Sequence, residues 1–173
     1  MKKIFCLIVL IFVLLSAVQV QASYESWKRG VPELVEKVEN EYGDRLELAA
    51  LEHDGVEKED LWAKVVVESN GDVNAVSETA VKGLTMITFD VIDLIEEETG
   101  IIIDRLHPFE AMWGTGWYLH YLMTKYNFTL EEAHGAYFYG PTGLKDQLKE
   151  NNISDLYHVK KINFVKAFIA DNY

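Results

Sequence analysis

Apolar positions fall into two regimes along this chain. Behind Lys2 and Lys3, an almost unbroken apolar run extends from Ile4 to Leu15 and ends at Val20, Gln21 and Ala22. Positive start, apolar middle and small-residue end match an export signal. The expected boundaries are a signal peptide over 1–22 and a single domain over 23–173. The remainder recurs at spacings of three and four, broken by polar turns, which predicts an all-α protein. One helix is expected from Pro32 to Tyr42 and, after a break at Gly43-Asp44, a short one through Ala50. The next spans Glu57 to Ser69. Asn70 to Lys82 is polar and reads as a loop. A helix is expected from Gly83 to Glu98, then a buried or extended connection at Ile101–Ile103, and a very apolar helix over Phe109 to Tyr126. Gly114 and Gly116 there allow a close neighbour. Thr129 caps a helix that Gly140-Pro141 stops, and Ser154 caps the last.

Charge and cysteine content narrow the chemistry. The 173 residues carry 16 basic and 28 acidic side chains, a formal charge of -12. Without Lys2 and Lys3, 14 basic residues face 28 acidic ones, and the charge becomes -14. Nucleic-acid binding needs a basic surface that displaces counterions, so no nucleic-acid partner is expected. Cys6 is the one cysteine and lies in the signal peptide. A disulfide, a thiolate nucleophile and a cysteine metal site are therefore not expected in the mature chain. His53, His107, His120, His134 and His158 are scattered; only His120 and His134 are candidates to meet, and two histidines leave a metal site incomplete. The expectation is no metal and no cofactor.

One acid stands out. In the helix carrying Leu61, Trp62, Val65 and Val66, Glu68 falls about 20° from Leu61 and about 60° from Val65 at helical spacing. It shares the side that packs inward. Burial would raise its pKa and favour the protonated acid. Alternatively, Glu68 simply ends the helix at its rim.

Residues 61–84, LWAKVVVESNGDVNAVSETAVKGL, resemble the catalytic segment of the soluble lytic transglycosylase (SLT) family of the lysozyme-like superfamily. Glu68-Ser69 matches its Glu-Ser, Ala75-Val76-Ser77 its Ala-Val-Ser, and Gly83-Leu84 its Gly-Leu, all at the family's spacing. His107-Pro108 with Tyr118-Leu119, and Ala136-Tyr137 with Gly140, resemble two later motifs. The resemblance runs from about Gly55 to Gly140. Departures are Thr85-Met86 for Met-Gln, Ala111 for asparagine, Phe138-Tyr139 for Asn-Ala, Gly71-Asp72-Val73 for Phe-Asn-Pro, and Ala80-Val81 for Gly-Ala.

The resemblance implies a lysozyme-like helical domain and a lyase acting on peptidoglycan in the periplasm or at the cell wall. Glu68 would protonate the bond between N-acetylmuramic acid and N-acetylglucosamine, then accept the C6 hydroxyl proton as a 1,6-anhydro ring closes. Ser69, Ser77, Met86, Tyr137 and Tyr139 would contact substrate. Four of them have a plainer role: a helix cap for Ser69, a turn for Ser77, packing for Met86 and Tyr137. Trp113 is either core or groove wall. Asp72 and Glu78 read as solvated loop acids rather than a second catalytic carboxylate. The alternatives are a hydrolytic muramidase and a noncatalytic glycan-binding or envelope assembly protein. Envelope-spanning machinery is a further possible partner.

Overall fold

The structure is a computed structural model that describes the backbone of residues 2–173 and the side chains from residue 19 onward. The expected signal peptide, and Cys6 with it, lies mostly outside the described side chains. The chain divides into two compact units, residues 1–33 and 34–173. Among the described residues no helix is long and apolar enough to cross a membrane. In the first unit the chain is helical, and Lys28 pairs with Glu25 at 2.8 Å.

The architecture is all-α. Helix α1 (Lys2–Ala50) is followed by α2 (Lys58–Ser69), α3 (Phe89–Thr99), α4 (Pro108–Tyr126), α5 (Leu130–Gln147), a 3-10 turn (Ile153–Asp155) and α6 (Tyr157–Asn172). The described residues contain no strand, only one isolated antiparallel bridge, Val76 to Lys82. In the second unit α2 packs on α6 and α4, α4 on α5, and α3 on α4.

The expected break at Gly43-Asp44 does not occur, because α1 is continuous there. Val35, Val38, Tyr42, Leu46 and Ala49 are all buried at spacings of three and four. That stripe runs straight through the glycine, and its packing outweighs the roughly 1 kcal/mol that glycine costs a helix. Helix α2 begins where Asp60 accepts the Glu57 N–H at 2.9 Å and ends at Asn70, whose φ is 54°. Leu61, Trp62, Ala63, Val65 and Val66 are buried in it, and Trp62 Nε1 donates to the Val35 carbonyl at 3.2 Å.

The helix expected from Gly83 starts six residues later, at Phe89. Gly83 and Met86 both have positive φ, 104° and 54°, which interrupts the helical ladder. Thr88 is the extended N-cap. Leu84, Thr85 and Ile87 are nevertheless buried, so this stretch is a packed, irregular strap. A Cβ on Gly83 would sit 2.5 Å from the Arg105 carbonyl oxygen. Gly83→Ala is therefore expected to cost about 2 kcal/mol or more, from backbone strain together with the clash. Urea unfolding measures this, and an unchanged midpoint would contradict it.

Of Ile101, Ile102 and Ile103, only Ile103 is buried, against Ile87, Ile92 and Ile95; the other two are exposed. Gly114 and Gly116 do permit close approach, to Ile103 and to the His53 ring respectively. Thr129 caps α5 in a reciprocal box with Glu132. Gly140 breaks its helical path with φ 71° and ψ 158°. Ser154 does not cap α6; it lies in the 3-10 turn, and Leu156, buried and extended, precedes the helix instead.

Candidate active site

A cleft of about 410 Å³ opens between the end of α2, the loop after it, the strap before α3, and α5. Glu68, Ser69, Ser77, Met86, Tyr137 and Phe138 help line it. Glu68 is the one carboxylate among the described residues that do so. Asp72 and Glu78 are exposed and do not line it; Asp72 accepts the Asn74 N–H at 2.9 Å.

The local sequence explains how the loop is held. Ser77 Oγ accepts the Val81 N–H at 3.0 Å, while Ser77 N–H donates to the Val81 carbonyl at 2.8 Å. Ala80 turns the chain with φ 63°. Gly83 N–H then returns to the Ala75 carbonyl at 3.0 Å. Ser77 thus orders the loop and also faces the cleft. Ser69 Oγ donates to the Val65 carbonyl at 3.1 Å, so it helps end α2 at the cleft wall. Met86 reaches the cleft from the strap.

The Tyr137 hydroxyl donates to the Thr85 carbonyl at 2.9 Å and lies 3.2 Å from Thr115 Oγ1. The tyrosine therefore ties α5 to the strap through its hydroxyl. Its ring face receives the Lys64 ammonium, 3.8 Å from the centroid. Burial and the Glu68 charge push the phenol upward. Tyr139 does not line this cleft; its ring meets Phe138 edge-on. Trp113 lies elsewhere, packed against the Ile87–Ile103 cluster with its Nε1 donating to Glu52 at 2.7 Å.

Two residues to which the sequence assigned no role at the site surround Glu68. Lys64, fully buried one turn earlier, places Nζ 3.1 Å from Glu68 Oε1. His158 of α6 places Nε2 3.2 Å from the same oxygen and 3.2 Å from Lys64 Nζ. Phe138, more than half exposed, stacks on the His158 ring at 4.5 Å and 16°. Burial pushes the Glu68 pKa up, but the Lys64 ammonium and the His158 ring outweigh it and hold it down at about 2. The expected rise in the Glu68 pKa is thus overturned: the carboxylate is ionised, because its burial comes with a cation. Burial pushes Lys64 and His158 themselves down, against the pull of Glu68.

A second charged group lies farther back on the same helix. Asp60, fully buried, accepts from His134 Nε2 at 3.1 Å and from Lys166. Asp60, Lys64 and Glu68, four residues apart, form one polar stripe on α2. Burial opposes ionisation of Asp60, but the hydrogen bonds from His134 and Lys166 keep it below the ordinary range. His134 donates through Nε2 and leaves Nδ1 without a partner, so its ring is neutral. Burial lowers its pKa to about 4, against Asp60, with Lys64 and Lys166 adding to the fall. His120 bonds instead to the Asp54 carbonyl at 2.9 Å. Among the described residues no three His, Cys, Asp or Glu side chains are grouped to hold a metal ion.

The His134 environment fixes the sign of the acid response. Between its ordinary value of 6.5 and about 4, the unfolded chain takes up a proton that the folded chain refuses. Stability is therefore lost as pH falls through that window, by about 3 kcal/mol for the shift. Asp60 and Glu68, both depressed, remove more only as pH falls below the ordinary carboxylate range. Urea unfolding at pH 7 and near pH 4 should show that loss; equal stability at both would contradict it.

An all-helical domain that presents one carboxylate in a cleft, backed by a strap and two packed helices, defines a protein of the lysozyme-like helical class. The chain matches the transglycosylase SLT domain over residues 45–159, and it belongs to that family. Its activity is accordingly of the lytic transglycosylase type, and the glycan strands of peptidoglycan are what it acts on. No curated protein matches the chain.

Proposed function

We propose that this protein is an exported peptidoglycan lytic transglycosylase, with Glu68 as its single acid and base. Residues 1–22 are the signal peptide in this reading, and the mature chain works in the periplasm or at the cell wall. The observation that carries the reading is that Glu68 is the lone carboxylate among the described cleft residues. Hydrolysis by the usual route needs a second carboxylate, as nucleophile or base. With one, the substrate itself must supply the nucleophile, and the C6 hydroxyl of the muramic ring does so by closing onto C1. Glu68 gives its proton to the departing glycosidic oxygen and takes one back from that hydroxyl. No water is consumed. An ionised Glu68 suits the second step directly. Ser69, Ser77, Met86 and the Phe138 ring flank the sugar in this reading, with Tyr137 supporting the strap. Tyr139, outside the cleft, has no part in it.

Mass spectrometry of products from purified peptidoglycan tests the reading. Wild type is expected to release 1,6-anhydromuropeptides, and Glu68→Gln is not. Reducing-end products would reassign the protein as a muramidase. Absence of Glu68-dependent cleavage, with glycan binding retained, would make it a binding protein on the same scaffold.

A further inference from the structure

An ionised Glu68 leaves one step of that reaction without its proton. The carboxylate can take a proton from C6, but it must first have one to give. Bulk water is a poor source for a side chain that is 11% exposed and will be covered by the glycan.

The atoms around Glu68 supply an alternative. Glu68 Oε1, Lys64 Nζ and His158 Nε2 stand 3.1–3.2 Å from one another, each edge within hydrogen-bonding reach. A single imidazole nitrogen cannot both accept from Lys64 and donate to Glu68. The triangle therefore has two settings. In one, the Lys64 ammonium donates to Glu68 and to an unprotonated Nε2. In the other, Nε2 carries the hydrogen, points it at Glu68, and Lys64 is the neutral amine. One proton moves between them. The groups facing this triangle are Asp60 on α2, His134 and Tyr137 on α5, and Lys161 and Lys166 on α6. Asp60 is committed to His134 and Lys166. Glu68 is therefore the acceptor to which Lys64 delivers.

We propose that Lys64 and His158 form an internal proton store that loads Glu68 when a glycan strand fills the cleft. This rests on the transglycosylase reading above. The N–H bond of the Lys64 ammonium breaks as the O–H bond of Glu68 forms, leaving a neutral amine and a neutral acid. Glu68 then passes that proton to the glycosidic oxygen as its bond to C1 breaks. The C6 oxygen bonds to C1, and its proton goes to Glu68 and back to Lys64. Nothing is consumed. The driving force is dehydration: once the sugar excludes water, a buried ion pair loses stability relative to the neutral pair. Lys64 is already burdened by its own burial, which pushes its ammonium toward releasing a proton. His158 holds the geometry and shares the proton, and the Phe138 ring stacked on it shields that edge. Both act through Glu68 and are positioning residues.

The test is the pH dependence of anhydromuropeptide release by the full chain, as wild type, Lys64→Met, Lys64→Arg and Glu68→Gln. A proton held inside the protein makes the wild-type kcat level from about pH 5 to about pH 8. Lys64→Met frees Glu68 of its cation, so burial raises its pKa and its proton must come from solvent: kcat is expected to lose the level profile and fall about tenfold per pH unit above that pKa, to ~100-fold below wild type by about pH 8, with KM within about threefold. Lys64→Arg keeps the charge but cannot release a proton, so it does not restore kcat. A wild-type kcat that falls about tenfold per pH unit across that range would overturn the store, since Glu68 would then draw on solvent. So would a level, wild-type profile in Lys64→Met, or a wild-type kcat in Lys64→Arg. If Lys64→Met fails to fold, the wild-type profile and Lys64→Arg still decide. Wild type that shows no Glu68-dependent cleavage overturns the functional reading and this inference together. Glu68-dependent cleavage with a solvent-like profile overturns this inference alone.

Discussion

Glu68→Gln is expected to lower kcat on peptidoglycan by about 10³- to 10⁴-fold, because one side chain performs both proton transfers and general acid–base catalysis contributes about 10²- to 10⁴-fold. Glutamine keeps the size of the side chain and an oxygen that accepts from Lys64. It can neither give nor take the reacting proton. The variant also leaves the fully buried Lys64 without its counter-ion. Burial already lowers Lys64, so it answers by losing its proton rather than by opening the fold. KM and the helical circular dichroism spectrum are expected to stay close to wild type while turnover disappears. Measured turnover within about tenfold of wild type would remove Glu68 from the chemistry.

The largest stability effect is expected at Asp60, away from the cleft. Its carboxylate is fully buried and joins three elements at once: the Glu57 N–H that starts α2, His134 of α5 and Lys166 of α6. Asp60→Ala removes the acceptor from all three. Stranding the buried His134 N–H costs about 1–3 kcal/mol, and the lost bonds from the Glu57 N–H and the partly exposed Lys166 bring the total to about 3 kcal/mol. That is a large share of the roughly 5–15 kcal/mol that holds a domain folded. Lys166→Met should cost much less, about 1 kcal/mol, because Lys166 is 29% exposed and its loss leaves Asp60 still bonded to His134. Chemical denaturation of the three proteins at neutral pH checks the order. An Asp60→Ala midpoint equal to that of Lys166→Met would show that the junction of α2, α5 and α6 does not depend on this carboxylate.

Much of the site was readable one residue at a time. The apolar spacing around Leu61, Val65 and Val66 identified α2 and turned Glu68 inward, and the Glu-Ser, Ala-Val-Ser and Gly-Leu elements marked the loop that shapes the cleft. Ser69, Ser77, Met86 and Tyr137 all reach that cleft. Tyr139 does not, since Gly140 diverts the helix just after it and neighbouring residues on a helix face different ways. The spacing of Asp60, Lys64 and Glu68 was also in the sequence. Pairs four apart meet on a helix, and that signal could have revealed Lys64 as the partner of Glu68. Its meaning could not have been read there. The same spacing on an exposed face would be an ordinary surface ion pair.

By itself, then, the sequence determined the helical class, the placement of α2, α4 and α5 and the cap at Thr129, and it put Glu68 on the inward side of α2 as an acid or as the helix rim. These are local matters, set by periodicity and by hydrogen bonds three or four residues apart. Tertiary structure decided what no local pattern contains. It carried α1 through Gly43, because a continuous buried stripe outweighs one glycine. It unwound Gly83 to Thr88 into a strap, because the chain there packs against the Arg105 backbone. It also brought His158, 90 residues downstream, to the carboxylate of Glu68. The charge state expected of Glu68 is reversed chiefly by Lys64, one turn back on the same helix, with His158 adding to it. Burial favours the neutral acid, but burial beside a cation favours the ion, and the tertiary packing that buries Lys64 and Glu68 together is what a local pattern does not show.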